Sequence, residues 1–264
     1  MNAIIYLENS KAKVAIENGE LIHFVVDKVE YIHQKGNKGW RKSDDEMFPI
    51  IGPTTHNNFR VHTKKGDAIL DQHGLLRELN YTLISSSKNE AVYQKNYIVN
   101  TKINNSKFPE KSTEEFLFWP FSFTFQKIYS IVHDVLTINF KINSEKEMPF
   151  MLGYHPAFSL SNKGNEILIA NHKHYSLSDV YNAGSDALPV LNTNKITLQN
   201  TNKRNVEITT EGFNNFMLWT EVDNMICIEP ITHYTSHLNQ KYSEKDMFLV
   251  GVKNKFSVNL KIVS

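Results

Sequence analysis

A single cysteine, Cys227, stands in the whole sequence. That excludes an intramolecular disulfide framework and fits a reducing compartment. Charge of one sign is also missing: 29 Lys and Arg against 28 Asp and Glu leave a formal net charge of +1. The lysines are spread rather than blocked, so nothing steers the chain towards nucleic acid or an anionic membrane. No apolar run approaches the ~18 residues of a membrane span. The opening residues, M-N-A-I-I-Y-L-E-N-S-K, carry no basic stretch, and the run Ala3 to Leu7 is too short for a secretory core. The expected location is therefore cytoplasmic. No H-E-x-x-H, C-x-x-C, G-x-S-x-G, phosphate-binding loop or dinucleotide fingerprint occurs. No amphipathic helix longer than about two turns stands out. With no internal repeat, low-complexity tract or linker, the expectation is one domain over residues 1–264.

What the sequence does have is flat apolar side chains in alternation, including 16 Phe and 11 Tyr, which suit both β-sheets and sugar contacts. Phe121, Phe123 and Phe125 alternate with polar residues. So do Leu136, Ile138, Phe140 and Ile142, with His133-Asp134 as the turn between the two runs. Val14, Ile16 and residues 21–26 read as strands split by the tight-turn signal Asn18-Gly19. Residues 34–45 read as a polar loop anchored by Trp40, and Phe48 to Pro53 as irregular. Arg77, Leu79 and Tyr81 share a face if that stretch is extended. Residues 171–194 read as loop, Ser243 to Asp246 as the start of a short helix, and Phe256 to Ile262 as the closing strand. Many short strands with turns between them mean an all-β, antiparallel β-sandwich or barrel-like fold.

Two strand ends carry candidate chemistry. In Phe150-Met151-Leu152-Gly153-Tyr154-His155-Pro156 the proline forces His155 towards extended backbone. Met151, Gly153 and His155 then share a face, and Gly153 leaves room beside the imidazole for a ligand. The alternative is a core histidine at a strand end. In Met225-Ile226-Cys227-Ile228-Glu229-Pro230 a carboxylate ends an apolar strand. Desolvation there raises its pKa and makes Glu229 a better general base; the alternative is a strand-end salt bridge. Cys227, mid-strand among apolar residues, reads as an inert packing group. A metal site is the rival use of histidine. His172 and His174 share a face if extended, and His233 and His237 do if helical, but neither spacing is that of an established metal motif.

Three pieces together resemble the aldose 1-epimerase (galactose mutarotase) family. They are Asp71-Gln72-His73-Gly74-Leu75-Leu76-Arg77, Gly153-Tyr154-His155-Pro156-Ala157-Phe158 and Cys227-Ile228-Glu229-Pro230. The stretch Trp40 to Gly52 resembles the family's early tryptophan-to-F-P-I segment. The resemblance implies a large β-sandwich of the galactose mutarotase type with an open sugar cleft, no cofactor and no metal. It implies Glu229 as the base that takes the anomeric proton and His155 as the acid that protonates the ring oxygen. It implies His73 as a sugar-binding histidine, and places Arg77 with the arginine of the hexose-6-phosphate epimerase-like and LacX-like branch. Asp186 is the candidate for the sugar-binding aspartate.

The sequence departs from the family pattern in several places. Gly52-Pro53-Thr54 replaces an early arginine, with Arg60 only later. Leu75-Leu76 replaces Phe-Ala, and Ile231-Thr232-His233 replaces a Trp and Gly. The reading is therefore an enzyme interconverting the anomers of a hexose or hexose derivative. A non-catalytic sugar-binding protein on the same sandwich is the second reading, and a metal-dependent hydrolase a distant third.

Overall fold

The computed structural model describes residues 4–235, 242, 244–251 and 255–264. Two antiparallel sheets carry the architecture. The larger has nine strands, in spatial order Lys173–Ser176, Ile167–Ala170, Lys195–Gln199, Asn205–Glu211, Phe256–Val263, Val135–Ser144, Phe123–Val132, Glu90–Tyr97 and Thr82–Ser86. The second has six. Leu188–Leu191, Asn215–Trp219, Met225–Ile231, Gly153–Tyr154 and Glu46–Met47 run side by side, and Ala157–Ser159 also pairs with Met225–Ile231. A four-stranded meander, Ile4–Glu8, Ala12–Glu17, Glu20–Val26 and Val29–Glu30, packs through its first strand against Glu90–Tyr97 and Phe123–Val132. The expected β-sandwich is therefore what the chain forms, and no helix among the described residues is long and apolar enough to cross a membrane.

Alternation explains the packing. Phe123, Phe125, Tyr129 and Ile131 are buried along one face of their strand, opposite Leu136, Ile138 and Phe140 on the next. Phe140 reaches Tyr154 of the second sheet with ring centroids 5.3 Å apart. Phe48 packs edge-on to Phe123 at 4.9 Å. The turns fall where the sequence marks them. Asn18 and Gly19 both take positive φ, 52° and 82°, as a type I′ hairpin turn requires. Residues 133–134 close the Phe123–Val132 and Val135–Ser144 hairpin.

Lys127 breaks the apolar row. It occupies an inward position, 0 % exposed, between Phe125 and Tyr129. Its ammonium pairs with Asp44 at 2.7 Å and with Glu46. Tyr129 and Tyr154 each donate a hydroxyl to the same Asp44 oxygen, at 3.1 and 2.8 Å. Burial pushes the Asp44 carboxyl up to about 6 against the pull of Lys127. Taking ions out of water costs several kcal/mol each, so the pairing and hydrogen bonds must offset it.

Four expectations need correction. Arg77 is not on a strand: Leu76–Glu78 is a 3-10 turn. The amides of Leu75 and Leu76 both donate to the Phe48 carbonyl, which coils the chain there. Gly153 does not hold space for a ligand. A Cβ there would meet Met47 Cε at 2.4 Å and Ile231 Cγ2 at 3.2 Å, so the glycine admits its neighbours' side chains. Glu229 does not end its strand, which runs through Pro230 to Ile231. Residues 171–194 are not mainly loop. They hold a helix, Leu177–Ala183, with a capping box in which the Asp179 amide donates to Ser176 Oγ at 3.2 Å and the Ser176 amide donates to Asp179 Oδ2 at 2.7 Å.

Candidate active site

The strands Met225–Ile231, Ala157–Ser159 and Gly153–Tyr154 bring His155 and Glu229 together. His155 Nε2 lies 3.3 Å from Glu229 Oε1. The two residues are 7 % and 2 % exposed and lie at the floor of a cleft of about 600 Å³. His73, Arg77 and Asp186 line the same cleft, so all five residues singled out from the sequence converge on it. Arg60, by contrast, is an exposed residue of the Arg60–Thr63 strand.

Each side chain has a local cause for its place. His155 is held by its backbone, which exchanges two hydrogen bonds with Asp45, at 3.1 and 2.8 Å. Pro156, with no amide hydrogen, lets the chain step away before Ala157–Ser159 resumes pairing. His73 takes φ 72° and its Nδ1 meets the Ile51 carbonyl at 2.8 Å. Gly74 must follow: a Cβ there would lie 2.2 Å from the Phe48 carbonyl oxygen. Asp186 closes the 3-10 turn Gly184–Asp186 after the short helix.

Aromatic rings surround the imidazole of His155. Trp40 lies 4.3 Å away at 31°, His73 at 5.6 Å edge-on, and Trp219 at 6.4 Å. Trp40 is fixed at both backbone ends, its carbonyl 2.9 Å from His33 Nε2 and its amide 3.4 Å from Met225 sulfur.

This dry setting sets the proton affinities. Burial pushes the Glu229 carboxyl up to about 8, and the Arg77 charge only partly opposes it. Burial, with Arg77 again, holds the His155 imidazole down to about 3. His73 is likewise driven well below the ordinary histidine value by burial, with Arg77 and His155 adding to it. Between those limits His155 and Glu229 share one proton and no net charge. Two coupled groups of this kind titrate as a pair.

Several residues in and behind the cleft carried no signal in the sequence. Asp45, almost fully buried behind Arg77 rather than lining the cleft, accepts from Lys42 at 2.7 Å and pairs with Arg77 at 3.4 Å. Lys107 pairs with Asp71 at 2.8 Å beside Gln72, and Lys111 lines the same wall. Trp219, Tyr181 and Glu221 also line the cleft. The acidic run Asp44-Asp45-Glu46 directly before the apolar Met47 to Ile51 was the one available hint.

The histidines weighed as metal ligands do not gather. His172 and His174 are exposed, His233 packs on Phe248 at 5.0 Å, and His237 lies outside the described residues. Among the described residues, the cluster with metal-binding donors is instead His155, Cys227 and Glu229.

A family model described as aldose 1-epimerase matches residues 56–241. None of the curated proteins matches the chain. Among solved structures, the chain is similar to a galactose mutarotase related enzyme from Lactobacillus acidophilus. Identity is 21 %, with 99 % of this chain and 98 % of that one covered and a TM-score of 0.75. It is also similar to a galactose mutarotase-like protein from Lactobacillus casei ATCC 334, at 18 % identity, 98 % and 99 % coverage and a TM-score of 0.77. At these identities the structural likeness speaks for the fold.

Proposed function

The chain belongs to the aldose 1-epimerase family, and from that premise we propose that it interconverts the α and β anomers of a hexose or hexose derivative, with Glu229 and His155 as the proton-transfer pair. The observation that carries this reading is the 3.3 Å contact between two buried, oppositely tuned groups at the floor of a polar cleft.

Opening a hemiacetal requires a proton to leave the anomeric hydroxyl and another to reach the ring oxygen. Glu229 takes the first, His155 gives the second, and the electrons of the C1–O5 bond move to O5 as C1=O1 forms. The free aldehyde turns about C1–C2, and the reverse transfers close the ring on the other face. The pair starts as carboxylate and imidazolium and ends as carboxylic acid and neutral imidazole. These are the two tautomers of one net-neutral pair that holds a single proton. With Glu229 up at about 8 and His155 down at about 3, the resting pair is the second form, so its proton first passes from Glu229 to His155 across the short contact, and ring closure by the reverse transfers restores the first form. Each positioned acid or base contributes ~10²–10⁴-fold.

The other cleft residues bind and orient. In this reading His73 and Asp186, which line the cleft, meet sugar hydroxyls. Arg77 favours the ionised form of Glu229. With Lys107 and Lys111 on the wall, the cleft also suits a substrate carrying an anionic group, such as a hexose phosphate.

Anomeric exchange followed by NMR on a panel of free and phosphorylated hexoses tests the reading. Faster exchange on at least one sugar supports it. Saturable binding by calorimetry with no exchange on any sugar favours a sugar-binding protein instead.

A further inference from the structure

Cys227 lies on the same strand as Glu229, two residues before it, so the two side chains share a face. One donor atom from each of His155, Cys227 and Glu229 lies within 4.8 Å of the other two. All three residues are more than nine-tenths buried. On neighbouring strands Ala157 and Trp219 stand opposite the cysteine, and Ala157 adds no bulk beside it. Nothing in the proton-transfer chemistry uses this thiol.

The spacing suits a tetrahedral cation. Zinc bonds of ~2.0–2.2 Å to nitrogen and oxygen place those two donors roughly 3.4 Å apart. His155 Nε2 and Glu229 Oε1 are 3.3 Å apart. A thiolate at ~2.3 Å from the metal sits roughly 3.6 Å from the other donors, so Cys227 needs to close by no more than on the order of 1 Å. Two of the three donors, His155 and Glu229, belong to residues that line the cleft. A nitrogen, sulfur and oxygen set selects zinc-like cations over magnesium or calcium, which prefer all-oxygen cages.

We propose that His155, Cys227 and Glu229 form a binding site for a thiophilic divalent cation of the zinc type, and that filling it switches the enzyme off. Binding releases the thiol proton and the proton held by the His155–Glu229 pair. With both groups bonded to metal, neither can carry a proton to or from a sugar. The inhibitory part rests on the catalytic reading above; the metal site does not.

The test uses metal-free protein without a histidine tag, titrated with cobalt(II) as a spectroscopic stand-in. The wild type is expected to show a thiolate-to-cobalt charge-transfer band, displaced by zinc(II). Cys227→Ser and Cys227→Ala are expected to lose it. Zinc is expected to inhibit wild-type anomeric exchange reversibly, with EDTA restoring it and magnesium having no effect. Cys227→Ser should keep its basal exchange rate and need more than ~10-fold more zinc for the same inhibition, since even outer-shell losses cost ~10–100-fold in metal affinity. A wild type without the charge-transfer band, or a band of full strength in both Cys227 variants, overturns the site. Equal zinc sensitivity of wild type and a folded Cys227→Ser overturns the switch. A band in a wild type that exchanges no sugar upholds the metal site and counts against the catalytic reading alone.

Discussion

Asp45 and His155 exchange both backbone hydrogen bonds, at 3.1 and 2.8 Å. The same aspartate holds Arg77 at 3.4 Å through its carboxylate. One residue thus fixes the backbone of the proposed acid and the cation that acts on both members of the pair.

Replacing Asp45 by Asn keeps the backbone bonds and removes the charge. Arg77 then loses its counter-ion, and its pull on Glu229 grows. We expect kcat/KM to fall by roughly 10–100-fold through misplacement of Arg77. The alkaline limb of the pH profile should move to lower pH, because Arg77 lowers the proton affinity of Glu229. A pH–rate profile of the variant checks both; an unmoved limb would mean Asp45 does not tune the pair.

The metal-free wild type should be active only while the pair holds one proton. With Glu229 up at about 8 and His155 down at about 3, that window runs between these values. Above about 8 the pair loses its proton, and kcat/KM should fall tenfold per pH unit, the signature of a single ionisation. A profile flat to well beyond that value would contradict the assignment.

Stability should show the same group with a definite sign. Glu229 binds its proton more tightly when folded than its ordinary value of 4.5 allows. Between 4.5 and about 8 the folded state therefore holds a proton that the unfolded state lacks. Its contribution to stability falls as pH rises through that window and levels off above it. Glu229→Gln removes the effect, so the variant should gain on the wild type with rising pH, by at most ~1.4 kcal/mol per unit. Urea unfolding of both proteins at pH 5 and pH 8 measures it. A gap that shrinks with pH would refute the burial argument.

Lys127→Met strands Asp44 and Glu46 without their cation. Removing one partner of a buried ion pair costs ~3–5 kcal/mol. Chemical denaturation should show a loss of that size, and a change under ~1 kcal/mol would mean the carboxylates find other partners.

The sheets were legible because half-buried strands write their two faces into the sequence, as in Phe121 to Phe125 and Leu136 to Ile142. The turns at Asn18-Gly19 and His133-Asp134 were legible because Asn, Gly and His are among the residues that take positive φ most readily, as Asn18, Gly19 and His133 do. The convergence of His155, Glu229, His73, Arg77 and Asp186 followed only from the resemblance, since spacing along a chain does not say which strand ends meet. The partners of Lys127 were invisible for the same reason: Asp44 lies 83 residues away. Gly153 was misread because a missing side chain can make room for a ligand or for packing, and only Met47 and Ile231 decide which. Arg77 was misread because short 3-10 turns carry little periodic signal. The helix Leu177–Ala183 was missed, since a cap pair such as Ser176 and Asp179 is a weak signal alone and seven residues are too few to show a stripe.

The central claim for this cleft is that His155 and Glu229 move protons for an anomeric centre. The direct measurement is two-dimensional exchange NMR between the α and β anomers of a responsive hexose, with wild type, Glu229→Gln and His155→Asn compared at neutral pH. The wild type should speed the exchange, and each substitution should slow it by ~10²-fold or more while sugar still binds. Full exchange activity in either folded variant would contradict the role given to that residue.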